Sequence, residues 1–349
     1  MEATEATTAD APLTIAGTQV APGERQRLQI PVGRRVSGNE ISLPVEVVRG
    51  RRPGPRLFLC AAIHGDEIAG VEIIRRVLTQ RSLRRLRGAV IAVPIVNLYG
   101  FVGLSRYLPD RRDLNRSFPG SPRGSLASRL AHLFLTEVVA NATHGIDFHT
   151  AAVHRSNLPQ IRACLDDPET LRLARAFGVP VILNANVHDG SLRQEVLERK
   201  IPMLLYEGGE ALRFDEATIR AGVHGVLRVM RTLGMLPPAG SSKHAVQPFI
   251  AKSSQWVRAP GSGILRSRAR LGASVRAGER IAVVGDPLGA EELPVLADKS
   301  GIVIGRSELP LVNEGDALFN VATFDAQERV EVSLESFREG LVDPLVEPV

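Results

Sequence analysis

Four short stretches of this sequence set side chains capable of chemistry where an apolar run gives way to a turn. The first is AAIHGDE (Ala61 to Glu67), which ends in His64-x-x-Glu67. A histidine and a glutamate three apart across such a turn can converge on one ion, the strand fixing one and the helix start the other. The second is IDFHT (Ile146 to Thr150), where a further apolar run ends in His149. Two histidines and a carboxylate, with a fourth position open to water, form a catalytic zinc set. His64-x-x-Glu67 alone is a weak signal, since a surface histidine beside an acidic helix start looks the same. His149 supplies the support. His154, His188 and His224 fall on predicted loops or helices and are read as bystanders.

The third stretch is SRYLPDRRDLNRSFPGS (Ser105 to Ser121), too polar for core and too rich in Pro and Gly for a regular element. Irregular loops that follow strands often carry function. Asp113 is a candidate acceptor for the free N–H of a ligating imidazole. Asn115 and Arg116 offer neighbouring donors suited to a carboxylate, and Arg106 or Arg111 can reach a carbonyl oxygen that becomes an oxyanion. The fourth stretch is IPMLLYEGGE (Ile201 to Glu210), a buried run that delivers Glu207 into a glycine turn. A carboxylate there can serve as general base on an activated water.

The elements needed to position these groups are legible as an alternation. RLFLCAAI (Arg56 to Ile63) and GAVIAVPIV (Gly88 to Val96) read as strands buried on both faces. Helical spacing predicts helices from about Asp66 to Leu78 and from Ser125 to Ala140. Together with the later segments to about Gly234, this predicts an α/β fold with a mostly parallel, twisted sheet. Ligands bind such sheets outside the carboxyl ends of the strands, where all four stretches fall. Residues 1–50 add N-terminal strands to a catalytic unit at 51–236, and 237–248 reads as a linker. Residues 249–325 are Gly-punctuated and β-like, built as two similar hairpin units, and 326–349 form an acidic tail expected to be peripheral.

Composition narrows the function class. The chain has 349 residues, 44% hydrophobic and 23% charged, ordinary for a globular protein of this size. No apolar run approaches the ~20 residues of a membrane span, and the first residues lack a signal-peptide pattern, so a cytoplasmic address is expected. Two cysteines leave no thiolate cluster, so metal ligands must be His and carboxylate. The net charge of +5 comes almost wholly from arginine, while aromatics make up 4%. That balance disfavours nucleic acid and favours a small anionic molecule, since arginine binds carboxylates bidentately. The densest basic run, Arg81 to Gly88, reads as the cationic end of a helix.

In this order, HGDE, the R-x-L-P-D-x-x-D-L-N-R-x-F-P-G loop, D-x-H-T and a later E-x-G resemble the succinylglutamate desuccinylase/aspartoacylase family, with its zinc carboxypeptidase-like fold. The resemblance covers roughly residues 50 to 325. It implies that His64, Glu67 and His149 bind zinc, one ion per chain, and that Glu207 is the catalytic carboxylate. It further implies that Asn115 and Arg116 hold a substrate carboxylate and that Arg106 polarises the scissile carbonyl. Residues 249–325 look like the family's barrel-sandwich appendage, similar to biotinyl and lipoyl domains. The hairpin GDPLGAEEL (Gly285 to Leu293) has no lysine to carry a cofactor, and Lys299 falls after the next strand. The appendage is expected to cover the site or to make an oligomer contact. The expected activity is removal of an acyl group from a small N-acyl amino acid or related anionic amide. Trimming of peptides by a metallocarboxypeptidase is the alternative, and a non-catalytic carrier or adaptor is the other.

Overall fold

The computed structural model describes residues 12–34, 36–185, 187–238 and 248–324, together with 334, 335 and 337. Two short strands, β1 (Leu13–Ile15) and β2 (Thr18–Val20), pair with each other. The alternating runs that follow form β3 (Arg25–Arg34) and β4 (Glu40–Arg49). Then come β5 (Arg52–Ala61), α1 (Ala69–Leu78), β6 (Arg87–Val93), the short α2 (Leu98–Val102) and α3 (Leu126–Glu137). The α/β stretch closes with β7 (His144–Ala151), β8 (Arg155–Ala163), α4 (Pro168–Phe177), β9 (Val181–Asn184), α5 (Leu192–Glu198), β10 (Met203–Glu210) and α6 (Glu216–Thr232).

The centre of the sheet is β6-β5-β7-β10, parallel throughout. Its flanks run antiparallel: β4 lies on β6 and β8 on β10. The result is the mixed α/β sheet, mostly parallel at its core, that the alternation implied. One apolar layer packs α1, α4 and α6 on one face, around Phe148, Phe177 and Tyr206. The other packs α3 on the opposite face, around Phe58, Phe118 and Phe134. No helix among the described residues is long and apolar enough to cross a membrane.

Element ends moved in informative ways. The first helix starts at Ala69, three residues after the expected Asp66, because residues 62–68 are spent on a tight turn. Ala62 adopts φ 52° there, and Glu67 N–H donates to His64 O at 3.0 Å. His64 and Glu67 are therefore held by a turn rather than by the helix. The helix expected over 125–140 runs from Leu126 to Glu137, with the Ser125 hydroxyl accepting from Ser128 N–H as a cap. The basic run at Arg81 to Gly88 opens with a separate 3-10 helix (Arg81–Arg85), whose last turn carries Arg84 and Arg85, and continues into β6.

The C-terminal portion is β throughout: β11 (Phe249–Ala251), β12 (Ser253–Arg258), β13 (Gly263–Ser267), β14 (Ser274–Val275) and β15 (Arg280–Gly285). β16 (Glu292–Leu296), β17 (Gly301–Ser307), β18 (Leu311–Val312) and β19 (Ala317–Thr323) complete it. Four of these strands form a separate antiparallel sheet, β16-β15-β13-β18. The others extend the central sheet, since β17 pairs antiparallel with β8 and β11 pairs with β9. Most of the expected linker, 239–247, and most of the tail lie outside the described residues. Within the tail, Leu334 and Phe337 are buried against the core, so that stretch is not wholly peripheral.

Candidate active site

The carboxyl ends of β5, β7 and β10 open into a cleft of about 210 Å³. His64 and Glu67 enter it from the turn after β5, and His149 from near the end of β7. All three are buried, and one ligand atom from each lies within 4.8 Å of the other two. Glu67 sits between the imidazoles: Oε1 is 2.7 Å from His64 Nδ1 and Oε2 is 2.7 Å from His149 Nδ1. Each ring has a carboxylate at its other nitrogen. Asp113 Oδ1 is 3.2 Å from His64 Nε2, and Asp147 Oδ2 is 2.8 Å from His149 Nε2. Such carboxylate–histidine pairs fix the tautomer and orientation of metal-ligating imidazoles.

Electrostatics agree with the geometry. Burial raises the Glu67 carboxyl, but the imidazoles of His64 and His149 overcome this and hold it far below the usual carboxylate range. Burial likewise raises Asp113, and its contacts with His64 and Arg106 reverse the shift. Both imidazoles are lowered by burial and raised more by their carboxylate partners, His149 the more strongly. Asp66 goes the other way, raised by burial and by neighbouring Glu67. A buried trio of two neutral-capable nitrogens and one carboxylate, braced by two further carboxylates, suits a divalent cation. The donor set fits zinc.

The Arg-rich loop supplies one wall. Arg106 Nη1 donates to Glu67 Oε1 at 3.2 Å and Nη2 to Asp113 Oδ2 at 3.1 Å, so its guanidinium lies against the trio. Asn115 is buried with Oδ1 accepting from Leu192 N–H at 2.9 Å. Arg116 lines the cleft beside it, donating to Asn115 O. Arg111 does not join them; it is exposed, at φ 61°, and lies outside the cleft. The loop's Asp110–Arg112 turn points it to solvent.

Glu207 comes from β10, in register with His149 on one side and Gln160 on the other. Matching register places these side chains on one face of the sheet. Glu207 Oε2 forms an ion pair with Arg162 Nε at 2.6 Å. Arg162 and Arg193, which had no place in the sequence argument, also line the cleft, and so does His188, against the expectation that it is a bystander. Arg162 was findable by period-two alternation, two residues from Gln160 on the polar face of β8. His188 and Arg193 reach the cleft through a loop and a helix start, with no local signal. Burial first, and then Arg116, Arg193 and Arg162, lower the His188 imidazole against the opposing pull of Asp189.

The catalytic domain of the succinylglutamate desuccinylase/aspartoacylase family matches residues 53–233, just over half of the chain. This chain belongs to that family. An N-alpha-acetyl-L-2,4-diaminobutyric acid deacetylase from Halomonas elongata is 28% identical over 84% of this chain and 90% of its own length. A solved succinylglutamate desuccinylase/aspartoacylase from Rhodobacter sphaeroides is also 28% identical, with TM-score 0.76, covering 86% of this chain and 96% of that one. A product-bound ectoine utilization protein from Ruegeria pomeroyi shares the fold (TM-score 0.78, 24% identity, 90% and 98% coverage). Hydrolase chemistry in the deacylase manner is the family's common ground, and the buried trio can hold a metal ion.

Proposed function

We propose that this protein is a zinc-dependent amidohydrolase that removes the acyl group from a small N-acyl amino acid bearing a free carboxylate. The observation that carries the reading is the buried His64–Glu67–His149 trio with an aspartate behind each imidazole. These three side chains would hold the ion. When bound, zinc supplies Lewis acidity, acidifying a water and polarising a carbonyl.

The remaining chemistry falls to the chain. Asn115 and Arg116 bind and orient the substrate carboxylate, a task that a neutral and a charged donor side by side perform well. Arg106, already against the trio, stabilises the negative charge that develops on the carbonyl oxygen. Glu207, aligned with His149, takes the proton of the attacking water and returns it to the departing amine. Arg162 holds the Glu207 carboxylate in place through their ion pair. Arg116, Arg162 and Arg193 make the cleft cationic, which supports an anionic substrate.

The test is Glu207→Gln. The variant should bind about one zinc per chain yet hydrolyse N-acetyl amino acids ~10²–10⁴-fold more slowly. Wild-type rates in the variant would remove Glu207 as base. A wild-type protein that takes up no zinc would remove the metal reading altogether. Dipeptides with a free C-terminus, assayed alongside, separate deacylation from peptide trimming.

A further inference from the structure

Gln160, on β8, is an anomaly in the floor beneath the cleft. It is 0% exposed, and neither its amide oxygen nor its amide nitrogen meets a hydrogen-bond partner among the described residues. Single buried oxygens without a partner occur elsewhere, as at Ser82 and Asn320. At Gln160 both ends of one side chain are left over, so turning the amide about relieves nothing. A buried polar group without a partner costs stability, and an apolar side chain of the same shape does not. Such a group kept in a core calls for a reason.

Its place in the sheet supplies one. Register sets Gln160 directly across from Glu207 on β10, and Glu207 in turn across from His149 on β7. Residues paired in this way project from the same face, with Cβ atoms about 5 Å apart. Leu158, two residues back, and Val181, across on β9, belong to the apolar layer shared with the C-terminal strands. Arg162, two residues on, lines the cleft with Nε 2.6 Å from Glu207 Oε2. The charged side chains beside the amide are therefore Glu207 and Arg162. Gln160 itself does not line the cleft, so a substrate there does not touch it.

The ion pair leaves a task open. Arg162 Nε approaches the carboxylate closely yet makes no hydrogen bond, because its N–H is not aimed along the contact. Coulomb attraction keeps the two groups near each other without fixing a direction. A hydrogen bond does fix one, since it weakens steeply as its angle closes. A general base must point one oxygen at the water, and small misplacements cost much rate. A glutamine amide carries both a donor and an acceptor, and its terminal torsion is soft. Gln160 is thus equipped to give the pair the direction that charge alone does not.

We propose that Gln160 positions the catalytic base: during turnover its Nε2 donates to the Glu207 carboxylate and its Oε1 accepts from Arg162 Nε. The inference rests on the reading of Glu207 as base. The full, zinc-loaded chain is compared with Gln160→Leu, which keeps bulk and removes both polar atoms, on an N-acetyl amino acid that the wild type hydrolyses. kcat should fall about ten- to a hundredfold, with KM within about twofold of wild type. Zinc content should be unchanged, and the thermal midpoint should hold or rise, because the orphaned amide is gone. Gln160→Met repeats the measurement should the first variant not fold. In a Glu207→Gln background the same substitution should lower kcat by no more than about twofold, since no base is left to position. Wild-type kcat in Gln160→Leu, beside a strongly slowed Glu207→Gln, overturns this inference and leaves the base reading standing. A rise in KM alone overturns it by giving Gln160 a binding role. An equal loss in both backgrounds overturns it by making that role structural. A Glu207→Gln variant of wild-type activity removes the base and this inference with it.

Discussion

Asp147 receives two hydrogen bonds from opposite sides. His149 Nε2 lies 2.8 Å from one carboxylate oxygen and the Cys60 thiol lies 3.3 Å from the other. Burial first, then Asp147 itself, raises the Cys60 thiol, so it stays protonated and donates. The aspartate thus fixes which nitrogen of His149 faces Glu67. Replacing Asp147 by Asn keeps shape but removes the charge that makes the imidazole a basic ligand. Zinc affinity, measured by competition with a chelator, should fall ~10–100-fold while the fold persists. Unchanged affinity would reduce Asp147 to a packing residue. Strand period two puts Asp147 on the same face as His149, so IDFHT already held this signal. The trio itself was legible for a similar reason, since a turn of three residues keeps His64 and Glu67 together. Arg193 was not, because a helix start sets its place with no local signature, and strand alternation marks Arg162 only as a polar-face residue of β8, its pairing with Glu207 being set by register.

At the scale of elements, the trio depends on how closely α1 approaches the sheet. Gly70, in the first turn of α1, packs where a Cβ would stand 2.5 Å from Phe148 Cβ and 2.7 Å from Ala61 Cβ. Gly70→Ala should push the helix off β5 and β7, dragging Glu67 with it. A loss of ~1–3 kcal/mol is expected by denaturant unfolding, with weakened zinc binding. A variant of native stability would show that the interface can yield. The same helix is tied to α6, where Arg76 contacts Glu216 at 2.7 Å and Arg220 reaches the same carboxylate. The Arg76 hydrogen bond chiefly lowers Glu216 from its ordinary 4.5 to about 2. A lowered carboxyl stabilises the fold above its ordinary value, and that contribution fades as pH falls from about 4.5 towards 2. The pair is surface-exposed, so its worth is under ~1 kcal/mol. The stability gap between wild type and Glu216→Gln should therefore be present at pH 6 and narrow steadily on acidification below pH ~4.5. A gap that stays constant would deny the link. The hydrophobic spacing made α1 and α6 visible, but not their contact, which depends on side chains separated by 140 positions.

Across the whole molecule, the alternation of apolar runs and helices gave the sheet its parallel core, while the join between its two portions had no sequence mark. Hydrogen bonds from β17 to β8 and from β11 to β9 run past the expected boundary, and pairing of short strands distant in sequence leaves no local pattern. Burial there is apolar: Leu158, Val181 and Leu183 pack against Ala251, Ile302, Ile304 and Ala322. Two portions sharing a sheet and a core should unfold together, giving one cooperative transition whose midpoint is the same by fluorescence and circular dichroism. Cutting the chain after residue 238 would bare the outer edges of β8 and β9 along with that apolar layer. An open edge flanked by exposed Val and Leu is a template for pairing with other chains. The truncated protein should accordingly aggregate or require a solubilising partner, with its zinc affinity lost alongside. A soluble, monomeric and zinc-binding fragment would show instead that the C-terminal strands only decorate a self-sufficient catalytic unit.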